Sequence, residues 1–191
     1  MQIARIFTPV GDPFDIIGLT ETWLTTANAD TPIFDKYNYN HIYKTRSEEY
    51  LSDKERGGGV SLFIRNNIVY KTRDDLSAFT AYLELLMVEI ILNNKPYIIG
   101  VAYRIPDTNA NLFINDINTI LEPLRNTHQV ILMGDFNTCL LQDNNHSNMF
   151  RNIMQTNSLF PTILEPTRLA TTTRQGQQIV TETLIDNTYI C

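Results

Sequence analysis

Apolar residues fall along this chain in short runs with two periods, and the periods mark the elements. Phe14–Leu19, Val60–Arg65, Leu83–Leu92, Pro96–Tyr103 and Val130–Met133 are compact runs rich in Ile, Val and Leu, and they predict strands. Tyr37–Tyr43 alternates aromatic and polar residues and predicts another, and Ile68–Lys71 follows a turn at Asn66–Asn67. Asn93–Asn94–Lys95 is a short connection, so the runs on either side predict an antiparallel pair. The period then changes. Phe113, Ile117, Ile120, Leu121 and Leu124 recur at helical spacing within Asp107–Leu124, behind Asp107 or Thr108 as cap. His146–Leu159 repeats the pattern with Met149, Phe150, Ile153 and Met154, where both methionines read as core filler. Leu164–Arg168 and a Thr- and Gln-rich loop, Ala170–Gln178, lead to a last strand over Thr183–Ile190. Irregular alternation of this kind predicts stacked, mainly antiparallel sheets covered by helices, with no Rossmann layout.

Polar residues gather where these runs end. VILMGDFN at Val130–Asn137 is a buried-strand pattern that passes through Gly134, placed to let the chain turn, into Asp135 and Asn137. If the backbone stays extended, Asp135 and Asn137 leave it on the same side, with Phe136 as an aromatic wedge between them. That oxygen-rich corner at a carboxyl end suits a hard cation or a polarised water. The same two residues also read as an ordinary Asp/Asn turn. Glu21 follows another strand end, either as a site acid or as a solvated loop acid, beside the only tryptophan, Trp23, which is expected to pack under that loop. Tyr103 closes a third run, as a site hydroxyl or a core tyrosine. Gly57–Gly59 leads into a strand with no Gly-Lys-Ser/Thr after it, so it reads as a close-packing entry and not a P-loop.

Composition narrows the class. The 191 residues fit one domain, 1–191, with 43% hydrophobic and 19% charged residues, which is a globular balance. The net charge of −6 argues against a protein that binds nucleic acid by phosphate attraction alone; it permits an acid cluster made cationic by bound metal. Cys139 and Cys191 form neither a disulfide framework nor a zinc pattern, which points to a reducing, intracellular compartment. The first residues show no secretory pattern. Leu83–Leu92, the most apolar run, is broken by Glu84 and Glu89 and is too short for a membrane span. Lys44–Lys54 reads as a charged surface loop.

Six segments in this order resemble the endonuclease/exonuclease/phosphatase superfamily with its DNase I-like fold, and more narrowly the endonuclease domain of non-LTR retrotransposons. They are LTETW at Leu19–Trp23, GGGVSLFIRN at Gly57–Asn66, VAYRIP at Val101–Pro106, MGDFN at Met133–Asn137, PTR at Pro166–Arg168 and TLIDNTYI at Thr183–Ile190. The resemblance runs from about residue 14 to the end. It implies an α/β (α+β type) four-layer sandwich, two packed, mainly antiparallel sheets flanked by helices. It also implies a Mg2+-dependent (or Mn2+-dependent) enzyme that nicks DNA and is normally fused to a reverse transcriptase. Carried over by residue, Glu21 matches the metal-binding glutamate and Asp135 the aspartate that positions or deprotonates the attacking water. Asn137 matches the asparagine that holds that aspartate and the scissile phosphate. Tyr103 matches the phosphate-bonding tyrosine, Asp186 the aspartate that orients a catalytic histidine, and Arg168 falls in a loop that touches nucleic acid. The chemistry is consistent: a metal with few carboxylates, a carboxylate base and neutral donors stabilise phosphodiester cleavage.

Two parts of the family pattern have no match. The first strand's asparagine is one, with Gln2 a poor substitute, and the closing Ser-Asp-His motif is the other. Terminal strands are therefore expected to be missing, surface placement is expected for His41, His128 and His146, and cleavage is expected to be weak or undetectable. A non-catalytic relic or interaction module and a phosphatase-branch enzyme acting on phosphoinositides or other phosphoesters stand as alternatives.

Overall fold

Strand pairing sorts the apolar runs into two facing sheets. The computed structural model describes residues 2–5, 14–25, 39–46, 57–174 and 177–191. The first sheet comprises β1 (Gln2–Arg5), β2 (Ile16–Thr20), β3 (Tyr39–Lys44) and β4 (Val60–Arg65), in the order β1-β2-β4-β3. The second holds β5 (Tyr70–Thr72), β6 (Ala78–Phe79), β7 (Leu83–Leu92), β8 (Lys95–Arg104), β9 (Gln129–Asp135), β10 (Phe160–Pro161) and β13 (Asp186–Ile190), along the path β10-β13-β9-β8-β7-β5. β6 pairs with β7 off this path. Every pair is antiparallel except β8–β9, which is parallel. A parallel pair needs a crossover, and the helix α1 (Ala110–Leu121) supplies it. β1 forms where no apolar run precedes Phe14, because its backbone ladder with β2 over Gln2↔Thr20 to Arg5↔Ile17 substitutes for local propensity.

Alternation within the strands builds two cores. Leu86, Val88 and Ile90 of β7, with Ile99 and Val101 of β8, meet Val60, Leu62 and Ile64 of β4 between the sheets. Leu83, Leu85 and Met87 leave the other face and pack with Phe113, Ile117 and Leu121 of α1 and with Phe150 and Met154 of α2 (Asn145–Thr156). Among the described residues both α-helices lie on this one side. The cap of α1 is Asn109, whose carboxamide oxygen accepts from Asn111 N at 3.0 Å; Asp107, at φ 59, sits in the preceding turn. Asn109→Ala is expected to cost about 1 kcal/mol, read from the urea midpoint.

Three local expectations are corrected. Ala170–Gln178 is no loop: it lies within a hairpin of β11 (Arg168–Arg174) and β12 (Gln177–Thr183), paired from Arg168↔Thr183 onward. Its Thr, Val and Ile residues favour strands, but Leu169 and Val180 stay exposed, so no buried face advertised it. The last strand accordingly begins at Asp186. Trp23 does not pack under its loop; it is 60% exposed. Most of the Lys44–Lys54 charged loop lies outside the described residues.

Candidate active site

Register places four polar side chains in one row across the second sheet. Glu84 of β7 faces Tyr103 of β8, Tyr103 faces Asp135 of β9, and Asp135 faces Asp186 of β13. Cα partners on neighbouring strands share a face, and this face is the one turned toward the first sheet, as Tyr103 and Met133 show by packing in the inter-sheet core. The first sheet contributes Glu21, just past the end of β2. Its Oε1 accepts from the Tyr103 hydroxyl at 2.5 Å, which ties the two sheets together at this end. Glu21 adopts a left-handed backbone, φ 51, rare for a residue with a side chain.

The Asp135 end of β9 is a clamp. Asp135 Oδ1 accepts the Asn137 backbone N–H at 2.9 Å, an Asx turn, and Asn137 itself has φ 44. The chain therefore does not stay extended, and the turn reading and the site reading describe the same atoms. Asn137 Nδ2 donates to the Arg104 carbonyl at 2.8 Å. The Arg104 guanidinium donates in return to the Phe136 carbonyl at 3.0 Å and to the Asn137 carbonyl. Phe136 is no wedge between the two polar residues. It turns to the opposite face, packing edge-on to Tyr189 and tilted against Phe150.

Burial dominates the electrostatics. Asp135, 4% exposed, is pushed up to about 7, first by desolvation and then by the charges of Asp186 and Glu21, with the Asn137 N–H and Arg104 opposing. Asp186 is raised by burial and by Glu21, while Thr167 and Arg168 pull it down. Tyr103 is raised by burial and by its bond to Glu21, so its hydroxyl stays protonated as a donor. Asp135 and Asp186, each raised in part by a neighbouring carboxylate, would be relieved by a hard cation placed beside them, so the donor chemistry fits Mg2+. Among the described residues no three His, Cys, Asp or Glu side chains are grouped to hold an ion together. The fit is thus to an ion that takes one or two carboxylates and keeps its other waters.

The remaining candidates fall around this row. Arg168 opens β11, exposed and near enough to act on Asp186. None of the three histidines is in it. His41 stacks on Phe63 with 4.1 Å between ring centres, half-buried where a surface position was expected. His146 contacts Asn111, and His128 contacts Thr127 at the other end of the sheet. Sequence reading missed Arg104, Glu84 and Arg46. Glu84 had a signal: it shares the period of Leu86, Val88 and Ile90 within a run of apolar residues.

Two facing sheets with acids in register at one end, flanked by helices, define the class of DNase I-like proteins. The chain belongs to the endonuclease/exonuclease/phosphatase family, whose pattern it matches over residues 2–178. Among solved structures it is similar to the endonuclease domain of TRAS1, a telomere-specific non-LTR retrotransposon, at 14% identity and TM-score 0.59, covering 80% of this chain and 67% of that one. An endonuclease/exonuclease/phosphatase family protein from Leptotrichia buccalis aligns at 17% identity and TM-score 0.61, over 93% of this chain and 75% of that one. The human Nocturnin catalytic domain aligns at 15% identity and TM-score 0.57, over 93% and 69%. No curated protein matches the sequence. No helix among the described residues is long and apolar enough to cross a membrane.

Proposed function

We propose that residues 1–191 form one endonuclease-type phosphodiesterase domain, dependent on Mg2+ or Mn2+, that nicks DNA for a non-LTR retrotransposon and is joined to a reverse transcriptase. The observation that carries this reading is the row Tyr103–Asp135–Asp186 closed by the Glu21–Tyr103 bond. The likeness to the TRAS1 domain supports the retrotransposon branch.

Each residue has a part in the chemistry. Glu21 is the carboxylate that would hold the metal, which when bound neutralises charge on the phosphate oxygens. Asp135, with a pKa of about 7, is matched to take a proton from water near neutral pH. As that water's oxygen bonds to phosphorus, the bond to the leaving oxygen breaks, and the leaving oxygen takes up a proton. Tyr103 donates its one O–H to Glu21 here; with that carboxylate committed to a metal the same proton would turn to the phosphate, and a buried protonated phenol does not repel an anion. Asn137 holds Asp135 through its backbone N–H. Asp186 and Arg168 flank the phosphate on the β13 side. With no histidine in the site, the leaving oxygen takes its proton from solvent, and turnover is slow.

Supercoiled plasmid incubated with the purified chain is the test. We expect slow nicking that requires Mg2+ or Mn2+ and disappears in Asp135→Ala. Hydrolysis of an inositol phosphate without nicking would move the chain to the phosphatase branch. Absence of Mn2+ binding at millimolar concentration would leave a non-catalytic module.

A further inference from the structure

We propose that Glu84 and Arg46 form a positioning unit that sets the backbone of Glu21 through the Gly57–Gly59 loop. The link to metal rests on the phosphodiesterase reading above; the geometry stands without it.

Glu84 is the fourth member of the row and the one with no part in the chemistry above. It is 2% exposed on a face otherwise built from Leu86, Val88 and Ile90. Both of its oxygens are engaged. Oε1 accepts from Arg46 Nε at 2.7 Å, and Oε2 accepts the Gly59 N–H at 2.7 Å. The loop so anchored turns its carbonyls the other way. Gly59 O accepts the Thr22 N–H at 3.2 Å and Gly58 O accepts the Trp23 N–H at 2.9 Å. Those are the two residues directly after Glu21, so its left-handed backbone is fixed from the C-terminal side, while Tyr103 fixes its carboxylate.

The glycines are required by the same network. Gly58 and Gly59 have φ 72 and 86. A Cβ on Gly58 would lie 2.5 Å from Arg46 Nε, and one on Gly59 would lie 2.6 Å from Thr22 Oγ1. The guanidinium thus occupies space that only glycine leaves open. It also sits 6.0 Å from the centre of the Tyr103 ring, on which it acts as a cation. Arg46 Nη2 is buried with no hydrogen-bond partner among the described residues. A buried ion pair that leaves a donor unsatisfied is a poor stabiliser compared with apolar residues of like volume. Its use here is placement: it fastens the loop that holds the Thr22–Trp23 backbone to β7 of the second sheet.

The test uses the full chain and two variants, Glu84→Gln and Gly58→Ala. Gly58→Ala displaces the Arg46 guanidinium, whose side-chain atoms are its nearest neighbours, and strains the loop itself at φ 72, so it perturbs the same loop by a second route should Glu84→Gln fail to fold. Amide hydrogen exchange at Thr22 and Trp23 is followed by NMR, with Leu132 in the far core as control, and Mn2+ affinity by electron paramagnetic resonance. We expect exchange at Thr22 and Trp23 to quicken by about tenfold or more with Leu132 unchanged, because local opening is released without global unfolding. Mn2+ affinity is expected to weaken by about 10- to 100-fold. Unchanged Thr22 and Trp23 exchange in a folded variant overturns the proposal, whatever the metal does. Faster exchange with no change in Mn2+ affinity overturns its link to the metal. A parent chain that takes no Mn2+ at all refutes the phosphodiesterase reading and that link together, and the exchange result then decides the geometric claim by itself.

Discussion

Asp135→Asn is expected to be more stable than the parent at pH 8 in metal-free buffer and, with Mg2+ present, to nick plasmid about a thousandfold or more slowly. The two effects share one cause. Asp135 is desolvated and lies beside Asp186 and Glu21, which raises it from an ordinary 3.8 to about 7. A carboxyl raised in the folded state binds more protons there than in the unfolded chain between those two values. Stability therefore falls as pH rises from about 4 through 7, the reverse of the usual salt-bridged aspartate. At pH 8 the ionised group costs on the order of 4 kcal/mol, a cost the neutral carboxamide does not carry. The carboxamide oxygen of the variant still accepts the Asn137 N–H, so the turn survives. Urea midpoints at pH 5 and pH 8 check the sign: the parent should drop between them and the variant should drop less, retaining only the part due to the other raised carboxyls, Asp186 and Glu84. Mg2+ at pH 8 should raise the parent's midpoint more than the variant's, since a ligand stabilises the state it binds. A parent that gains stability from pH 5 to pH 8 would contradict this account of the site.

Gly134→Ala is expected to destabilise the chain by at least about 4 kcal/mol and to leave it largely insoluble, the cost of a steric clash with backbone. Gly134 lies inside β9 and has φ 149, a region that side chains rarely adopt. A Cβ there would overlap the carbonyl oxygen of Ala102 and lie 2.8 Å from its carbon. Those atoms belong to β8, the parallel neighbour, and neither strand can move without breaking the row. Circular dichroism melts and the soluble fraction on expression check this. A melting temperature near the parent's would mean that β8 and β9 can separate at this point. The glycine's part is thus close approach of two strands, not the sharp turn expected from its place near a strand end.

How far the sequence went can be followed along one residue at a time. Glu21, Tyr103, Asp135 and Asn137 could be placed at strand ends because each stands at or just past a run whose period marked it as a strand, a local property; Asp186, inside the run Thr183–Ile190, was singled out through the family resemblance. The helical faces of α1 and α2 were legible for the same reason. The β11–β12 hairpin was not, because a strand exposed on both faces has no apolar period to read. Glu84 and Arg46 were set aside, one as an interruption and one as a surface charge, because the contact that defines them spans 38 positions. Trp23 was expected inside on size alone, yet its backbone is held by Gly58 while its ring stands in solvent.

By itself the sequence determined the helices α1 and α2, the strands with a buried face, though not β1 or the β11–β12 hairpin, and which side chains share a face within those elements. All three follow from periods of two and 3.6 residues that any short stretch carries within itself. Only the tertiary structure decided that Glu84, Tyr103, Asp135 and Asp186 stand in one register, that Glu21 reaches them from the other sheet, and that Gly134 is a packing residue. Register is a relation between strands far apart in the chain. No single strand encodes which neighbour it meets, or at which residue, until the two cores and the β8–β9 crossover fix it.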